Sequence, residues 1–317
     1  MRTLAIALAA LLAAACSRGR GDAPVVGAPT ARAAPAAFDW QRPAGALELS
    51  ADEVAARLGS FDWNATVEWS VWREGEDARR VHIVEHHRVH QTATGEFEVR
   101  AEVDPGQGPG SVAGKEIVWT GGVTYARARF APWRKRPTDR GRDARRFREE
   151  SFLVARDVAR LVGPGLELSA AGDGNVLRRS ARRFQIALAK GAPPAPTPAR
   201  PADPPPDEDT KRRRAFLDGL RPQSASGEVL LDAATGTPLQ VKLSATFAVA
   251  NDPAARASVE VVAQVKALGG EVTAVAAPKP ALPDERKASG VANALEAAGI
   301  KKRGEEKGGA EPEDSEE

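Results

Sequence analysis

The sequence predicts an α+β fold in which an antiparallel sheet carries most of the chain and a few helices pack against it. Several segments alternate apolar and polar residues, which is the period of a strand with one buried face. Glycine-containing turns join these segments at the spacing of hairpins. Two other segments repeat apolar residues at the spacing of a helix. Together these three observations predict a sheet with one apolar face.

The region 62–104 predicts three successive strands, each with one face in the core and the other face charged. In the first strand, Trp69 and Val71 continue a run of apolar residues at every second position. Ile83 belongs to the apolar set of the second strand, and Phe97 belongs to that of the third. This region also holds all four histidines of the chain.

The loop Ala93-Thr94-Gly95 connects the second and third predicted strands. A three-residue loop that ends in a glycine with positive φ is a favoured hairpin connection, and it pairs Thr92 with Glu96. A two-residue loop would instead set apolar positions against polar ones. The resulting register places two histidine–glutamate pairs on the outer face, His90 with Glu98 and His86 with Glu102. We expect cross-strand attraction to account for these histidines without a ligand.

The remaining elements follow from the same patterns. The capping box Ser50-Ala51-Asp52-Glu53 begins a first helix. Apolar residues from Phe147 to Val162 fit a second, amphipathic helix that ends at Gly163-Pro164-Gly165. The later strands are predicted at Lys115–Trp119, Val123–Phe130, Leu166–Ser169, Arg178–Leu188, Gly227–Asp232, Leu239–Ala250, Ser258–Leu268 and Glu271–Val275.

Composition limits the size of the folded part and the class of partner. The 317 residues carry 45 basic and 43 acidic side chains, and the formal net charge of +2 excludes a global polyanion-binding character. Aromatic residues make up only 5%, while 29 glycines and 24 prolines indicate a modest β core with ends that do not pack. We therefore predict one domain of roughly 200 residues.

The N-terminus carries the pattern of an export signal. Arg2 precedes the apolar run Leu4–Ala15, which is too short to span a bilayer, and small residues lead up to Cys16. The segment resembles a bacterial lipoprotein signal, which implies that Cys16 is lipidated and, with Ser17 after it, that the protein faces the periplasm from the outer membrane. An ordinary secretory signal cleaved near Ala15 is the alternative. Because Cys16 is the only cysteine, the folded part has no disulfide and no thiol chemistry.

These features divide the chain into segments. The tether after Cys16 and the C-terminal tail are both too poor in apolar residues to order, and a proline-dense insertion interrupts the domain. The predicted segments are a lipoprotein signal peptide at 1–15, a disordered tether at 16–46, a folded domain at 47–277 with a Pro-rich insertion at 191–210, and a mostly disordered tail at 278–317.

His82, Glu85 and His86 match the inverted zinc-protease pattern H-x-x-E-H. Zinc ligands must approach one ion at about 2 Å each, whereas residues four apart on a strand are separated by about 13 Å. Because β-branched residues dominate this segment, the sequence predicts a strand and no catalytic zinc site; an adventitious metal-binding patch stays open. No Gly-x-Ser-x-Gly motif is present, so we expect a protein that is not an enzyme, with no catalytic residue, metal or cofactor.

A basic run extends from Arg127 to Arg148, where ten basic side chains face two acidic ones, a local charge of about +8. One interpretation is a solvated loop and helix start. The other is a contact with anionic lipid headgroups or cell-wall polymer; nucleic acid is not expected for an exported chain. The residues predicted to form this basic surface are Arg127, Arg129, Arg134, Lys135, Arg136, Arg145 and Arg146.

Three segments resemble the LolA/LppX-type lipid- and lipoprotein-binding proteins of bacterial envelopes. They are Trp63–Val103, Val118–Tyr125 and Gly227–Phe247 with its turn at Asp232–Pro238. The resemblance covers about 47–277, and it implies an unclosed, strongly curved antiparallel sheet, a half-barrel, with helices packed across its concave face. Members of that family shelter acyl chains there. This chain departs from the family in its Pro-rich insertion and in its lipid anchor, so it is expected to receive, retain or sense a ligand rather than shuttle it.

Two functional hypotheses follow. In the first, a lipid-anchored envelope lipoprotein binds an apolar ligand, a lipid or acyl chain, in the concavity of the half-barrel without catalysis. In the second, a structural or protein-interaction lipoprotein has a filled core and uses its basic surface for an anionic envelope partner. The residues predicted to line the concavity, each of which is an ordinary core residue under the second hypothesis, are Trp69, Val71, Ile83, Phe97, Val99, Phe152, Val241 and Phe247.

Overall fold

The computed structural model describes residues 36–76, 80–136, 140–191, 215–250 and 252–283. The predicted signal peptide, Cys16 and most of the predicted tether lie outside these ranges. Nearly all of the Pro-rich insertion and the tail from 284 onward also lie outside them. The description that follows concerns the stated ranges.

All twelve described strands belong to one sheet. In chain order they are β1 (Phe61–Arg73), β2 (Val81–Gln91), β3 (Phe97–Asp104), β4 (Ala113–Thr120), β5 (Val123–Ala128), β6 (Trp133–Arg136), β7 (Leu166–Val176), β8 (Arg179–Leu188), β9 (Leu220–Asp232), β10 (Pro238–Val249), β11 (Asp252–Leu268) and β12 (Ala281–Pro283). Their order across the sheet is β12-β6-β5-β4-β3-β2-β1-β11-β10-β9-β8-β7.

Two antiparallel meanders build this sheet. The first runs from β1 to β6 and the second from β7 to β11, and they join where β1 pairs with β11. β12 pairs with β6 in parallel, unlike the other described pairs. The edge strands β12 and β7 do not pair with each other, so the sheet is an unclosed, curved half-barrel. The predicted α+β fold class is confirmed.

Three α-helices lie on one face of the sheet, which we call the inner face. They are α1 (Ala51–Leu58), α2 (Arg142–Phe152) and α3 (Val154–Val162), and 3-10 helices occupy Pro43–Glu48, Pro109–Ser111, Gly163–Gly165 and Gly269–Glu271. The predicted capping box is present, because the Ser50 side chain accepts from the Glu53 backbone N–H at 3.2 Å and the Glu53 carboxylate accepts from the Ser50 N–H at 2.8 Å.

The single helix predicted from Phe147 to Val162 is two helices, separated at Leu153. Leu153 has φ −91° and ψ 14°, outside the helical region, although its N–H still donates to the Glu149 carbonyl at 2.9 Å. The break has a packing reason. α2 contacts β2, β3 and β4, whereas α3 contacts β1, β9, β10 and β11, and one straight helix would not follow both parts of a curved sheet.

The hairpin register predicted for β2 and β3 is confirmed. The Thr92 N–H donates to the Glu96 carbonyl at 2.8 Å, and His90 and His86 lie opposite Glu98 and Glu102. Gly95 has the positive φ, 88°, that this loop requires. The strand predicted at 271–275 is absent; a 3-10 helix at 269–271 follows β11 and no strand begins before Ala281 in the described residues.

The packed domain includes residues that composition assigns to the tether. Phe38 and Trp40 pack against the hydrophobic core, with their rings 4.9 Å apart edge to face, and Ala46 is fully buried. Gly236, in the turn after β9, makes this contact feasible: its φ is 67°, and a Cβ there would lie 2.0 Å from the Phe38 ring. Residues 36–46 therefore gain the apolar partners that their own sequence lacks.

Candidate functional site

The inner face of β1 changes from covered to open along the strand. Phe61 and Trp63 are almost fully buried, and their ring centroids lie 5.7 and 5.1 Å from that of Phe152 in α2. Trp69 and Val71, which the strand period places on the same face, are partly exposed. The helices therefore cover only the first part of this face of β1.

β2 repeats this change in the opposite chain direction. Val89, which pairs with Trp63, is fully buried, whereas Val81 at the other end is 51% exposed. Ile83, which pairs with Trp69, is intermediate. Because the two strands are antiparallel and in register, their open ends lie side by side.

β3 adds one more apolar side chain to this open area. Val103 shares the inner face with Phe97 and Val99 but is 36% exposed, whereas those two residues are fully buried. We use the name open strip for the inner-facing apolar residues that the helices leave accessible. These residues are Trp69, Val71, Val81, Ile83 and Val103.

The eight residues predicted to line a concavity fall into two groups. Trp69, Val71 and Ile83 lie in the open strip. The other five are at most 4% exposed and belong to one hydrophobic core, which the helices close; they are Phe97, Val99, Phe152, Val241 and Phe247. The covered part of the half-barrel is therefore filled by its own side chains. Val81 and Val103 also belong to the open strip, although neither is among the eight residues predicted to line the concavity.

Besides the buried Gln91, two polar side chains, Glu85 and His87, lie on the inner face of β2. His87 lies between Ala65 and Ala101 of the neighbouring strands, and its Nε2 is 3.4 Å from the Glu85 carboxylate. The His87 side chain is only 10% exposed, and its Nδ1 is buried without a hydrogen-bond partner in the described structure. The strand period alone identifies both residues as inner-facing, because Glu85 and His87 share the parity of Ile83 and Val89.

The inner face of β4 carries a basic side chain, Lys115. It pairs with Ala101, so it faces inward in the same row as His87, and its Nζ lies 4.5 Å from the centroid of the Phe147 ring in α2. Burial lowers the pKa of Lys115, and the nearby Arg136 guanidinium lowers it further. No hydrogen bond or ion pair of Lys115 occurs within the described residues.

The architecture is an unclosed half-barrel of the α+β class. The open antiparallel sheet and the helices on its inner face are the arrangement that the resemblance of the sequence implies. No protein-family model matches the chain, and no curated protein sequence matches it.

Several solved structures are similar to this chain at low identity. LprF from Mycobacterium bovis is 12% identical, over 76% of this chain and 98% of that one, with a TM-score of 0.32. The lipoprotein LppX from Mycobacterium tuberculosis is 10% identical, over 71% and 95% of the two chains, with a TM-score of 0.26. A LolA superfamily protein from Nitrosomonas europaea is 10% identical, over 75% and 99%, with a TM-score of 0.20.

The outer face of the sheet carries the other three histidines. His82 and His86 are exposed on β2, where their Nδ1 atoms lie 3.2 Å from the Ser70 hydroxyl and 3.3 Å from the Thr66 hydroxyl. Glu85 points to the inner face, so the H-x-x-E-H residues lie on opposite sides of the sheet. Across the described ranges, no group of three or more His, Cys, Asp or Glu side chains is placed to hold a metal ion.

His90 is buried and held on both sides. Its Nδ1 lies 3.0 Å from an Asp62 carboxylate oxygen on β1, and its Nε2 lies 2.8 Å from the Thr273 carbonyl. The hydrogen bond with Asp62 raises the pKa of His90 against the opposing effect of burial, with the Thr273 carbonyl also contributing. The predicted register is right, and Glu98 across the strand also attracts His90, but the hydrogen-bond partner of His90 is Asp62 on the other neighbouring strand.

His86 requires a similar correction, because its predicted partner Glu102 is engaged elsewhere. The Glu102 carboxylate accepts from Arg100 at 2.8 Å and lies 3.3 Å from Arg129. The bidentate capacity of arginine makes it the stronger competitor for a carboxylate.

The basic run is divided between the two faces of the sheet and α2. Arg127 and Arg129 lie on the outer face, where Arg127 pairs with Glu116 at 2.7 Å. Arg134 and Arg136 face inward on β6, opposite Ala126 and Thr124. The exposed members of the predicted basic surface are Lys135, Arg145 and Arg146.

A separate cavity of about 520 Å³ lies where the N-terminal segment meets the start of β7. Phe38, Leu49 and Leu168 provide apolar lining, and Arg57 lies at its wall, where its guanidinium donates to the Thr235 carbonyl at 2.7 Å. This cavity does not include any of the eight predicted lining residues. Among the helices described, none has the length and apolar character needed to cross a membrane.

Proposed function

We propose that this chain is a lipid-anchored lipoprotein of the bacterial envelope that holds an acyl chain on the open strip of its half-barrel, without catalysis. The observation that supports the proposal is the open strip itself. An apolar inner face continues past the helices that cover the rest of it, and Val81 is left 51% exposed. Accessible contiguous apolar side chains on a concave surface are typical of a ligand or partner site.

The filled core limits what this site can hold. Phe247 and Val241 are 0% and 1% exposed, so a ligand would not enter the covered region without displacing packed side chains. The ligand would instead lie along the partly exposed side chains of β1, β2 and β3. This arrangement suits one acyl chain better than the several chains of a complex lipid.

The energetics of such a site are adequate for useful affinity. Each CH₂ group removed from water contributes about 0.8 kcal/mol, and micromolar binding requires about 8 kcal/mol. Roughly ten fully buried methylene groups would therefore suffice before the entropic cost of association. An acyl chain of ordinary length supplies them.

The anchor and the location are part of the proposal. Lipidation of Cys16, with Ser17 after it, would place the domain at the outer membrane, facing the periplasm. Mass spectrometry of the mature N-terminus checks this: a diacylglycerol-modified Cys16 is expected, and an unmodified Cys16 would refute the anchor without touching the binding site.

The binding proposal can be tested with a neutral apolar dye. We expect the exported domain to bind N-phenyl-1-naphthylamine with increased fluorescence, and native mass spectrometry to detect lipid retained from the envelope. Ile83→Gln removes one apolar contact of the open strip and should weaken dye binding about tenfold. Val84→Gln is the matched control, because Val84 is the next residue of β2, is similarly half-buried and faces the opposite side.

Equal loss of binding in both variants, or no dye or lipid bound by the unchanged domain, would contradict the proposal. The latter result would favour the second hypothesis, a structural or protein-interaction lipoprotein that contacts an anionic envelope partner through Lys135, Arg145 and Arg146. Two observations support that hypothesis: the covered region is filled by its own side chains, and these three basic side chains are exposed.

A further inference from the structure

The open strip is bordered by a cation, Lys115, that makes no hydrogen bond or ion pair within the described residues. Lys115 lies on the inner face of β4, where its side chain is exposed along part of its length but its ammonium group is partly covered by the Phe147 ring, at 4.5 Å from the ring centroid. Along β4, the next inner-facing residue away from the helices is Ala113, which pairs with Val103 of the open strip. The cation therefore lies at the border between the helix-covered region and the accessible apolar residues.

The charges around Lys115 leave it available to an anion. Arg136 and Arg146 are the nearby cations, and Glu150 and Asp143 are the nearby acids. Glu150 already forms an ion pair with Arg146 at 3.4 Å, one turn apart on α2. Together with Lys115, these groups are three cations and two acids, so the net charge of this cluster is positive.

The acid within the strip does not oppose this charge closely. Glu85 lies on β2, two strands from Lys115, and its carboxylate is bound by His87. On β3, Val103 lies opposite Glu85, and Ala101 lies between His87 and Lys115. An anion at Lys115 would thus be separated from Glu85 by roughly two strand spacings, about 10 Å.

We propose that the ligand of the open strip is a single-chain amphiphile with an anionic head group, and that Lys115 binds the head group while the open strip binds the chain. This inference rests on the function proposed above. From Lys115 to Ile83 the sheet spans two strands and four residues, roughly 17 Å. That distance is comparable to the length of an extended acyl chain.

The electrostatic cost at Lys115 gives a physical reason for an anion. Burial and the neighbouring Arg136 both disfavour the charged ammonium, which is why the pKa of Lys115 is lowered. A carboxylate or phosphate beside Nζ would compensate both effects. A neutral head group would compensate neither.

The test compares three probes with the same chain: 1-dodecanol, dodecanoate and dodecyl phosphate, measured by calorimetry below their aggregation concentrations. We expect the unchanged domain to bind dodecanoate roughly fivefold more tightly than 1-dodecanol, as one partly exposed ion pair allows. Lys115→Gln should abolish this preference, so that dodecanoate binds no more tightly than 1-dodecanol. Lys135→Gln, which removes an exposed cation on β6, is the matched control and should keep the preference.

The outcomes distinguish binding of an anionic head group at Lys115 from binding of an apolar chain by the open strip. If 1-dodecanol binds but dodecanoate binds no more tightly, or if Lys135→Gln loses the preference as fully as Lys115→Gln, the anionic head group is refuted and the apolar site remains. If 1-dodecanol does not bind, the proposed function itself fails. A preference that is larger for dodecyl phosphate than for dodecanoate supports a phosphate head; the reverse supports a carboxylate. In both cases the preference should decrease with added salt.

Discussion

The two ends of β2 lie in the same sheet, a few residues apart, and have opposite surroundings. At the covered end, Val89, His90 and Gln91 are buried on both faces of the sheet, beneath α2 on one side and against residue 273 on the other. At the open end, Val81 and His82 are exposed. Both ends have the same alternation of apolar and polar residues. The difference arises from what covers the sheet and not from the strand.

The comparison separates the structural role of the inner face from its proposed binding role. Where helices cover it, apolar side chains pack into one core and contribute to stability. Where they do not, side chains of the same kind remain accessible and are free to contact a ligand. We therefore expect substitutions in the covered region to affect folding, and equivalent substitutions in the open strip to affect binding.

The largest expected effect is at the covered end, at Arg148 of α2. This guanidinium is 2% exposed, lies over the Phe97 ring, and donates to Asp52 at 2.9 Å and to Gln91 at 3.0 Å. Arg148→Met would leave the buried Gln91 oxygen without its donor, and we expect a loss of roughly 3 kcal/mol in the free energy of unfolding.

Urea unfolding measures this loss, and Arg146→Met is the matched control. Arg146 lies two residues earlier on α2, is 74% exposed and pairs only with Glu150 one turn away, so its replacement should cost less than about 0.5 kcal/mol. Similar losses at the two positions would show that α2 does not dock at the covered end as described.

The second prediction compares one valine from each region. Val241 is 1% exposed in the core, and Val71 is partly exposed in the open strip. Val241→Ala should cost about 2 kcal/mol of unfolding free energy, whereas Val71→Ala should cost less than about 1 kcal/mol. Only Val71→Ala should weaken binding of the neutral dye. A loss of stability at Val71 as large as that at Val241 would mean that the open strip is covered in solution.

Much of this arrangement could be predicted from the sequence, because strand period and turn length are local properties. The loop ending at Gly95 fixed the pairing of β2 with β3, and parity then assigned every residue of β2 to a face. The same parity places Glu85 and His87 on the inner face, which excludes H-x-x-E-H as a joint metal site. The capping box at Ser50 is also local, and the structure contains it.

The extent to which each side chain is buried could not be predicted from the sequence, because it depends on where elements distant in the chain pack. Phe97 and Ile83 have the same pattern in their own strands, yet one is buried beneath α2 and the other is partly exposed. Likewise, Arg148 lies in a run that composition interprets as a solvated surface, although its partner Asp52 is nearly a hundred residues away. The division of the predicted helix at Leu153 has the same origin, since it follows the curvature of a sheet built by other segments.

The smallest expected effect concerns the histidines at the two ends of β2. Both contacts of His90 are acceptors, the Asp62 carboxylate and the Thr273 carbonyl, and the two ring nitrogens can donate to both only when the imidazole is protonated. Its pKa is therefore raised from the ordinary value of 6.5, chiefly by the Asp62 hydrogen bond. A raised folded-state pKa contributes stability that is complete below about pH 6.5 and is lost as the pH rises through the folded-state value.

We expect the unfolding free energy of the unchanged protein to fall by about 1 kcal/mol, relative to His90→Gln, between about pH 6 and pH 9. Arg88 also contacts Asp62, and Glu98 lies across the strand, so both neighbours remain in the variant to preserve the local charge. His82→Gln is the control at the open end, where the side chain is exposed and its Nδ1 lies 3.2 Å from the Ser70 hydroxyl. Urea titrations at the two pH values measure the difference. If His90→Gln and His82→Gln show the same pH dependence, His90 is not held as an imidazolium, and the covered end is no more closed on its outer face than the open end.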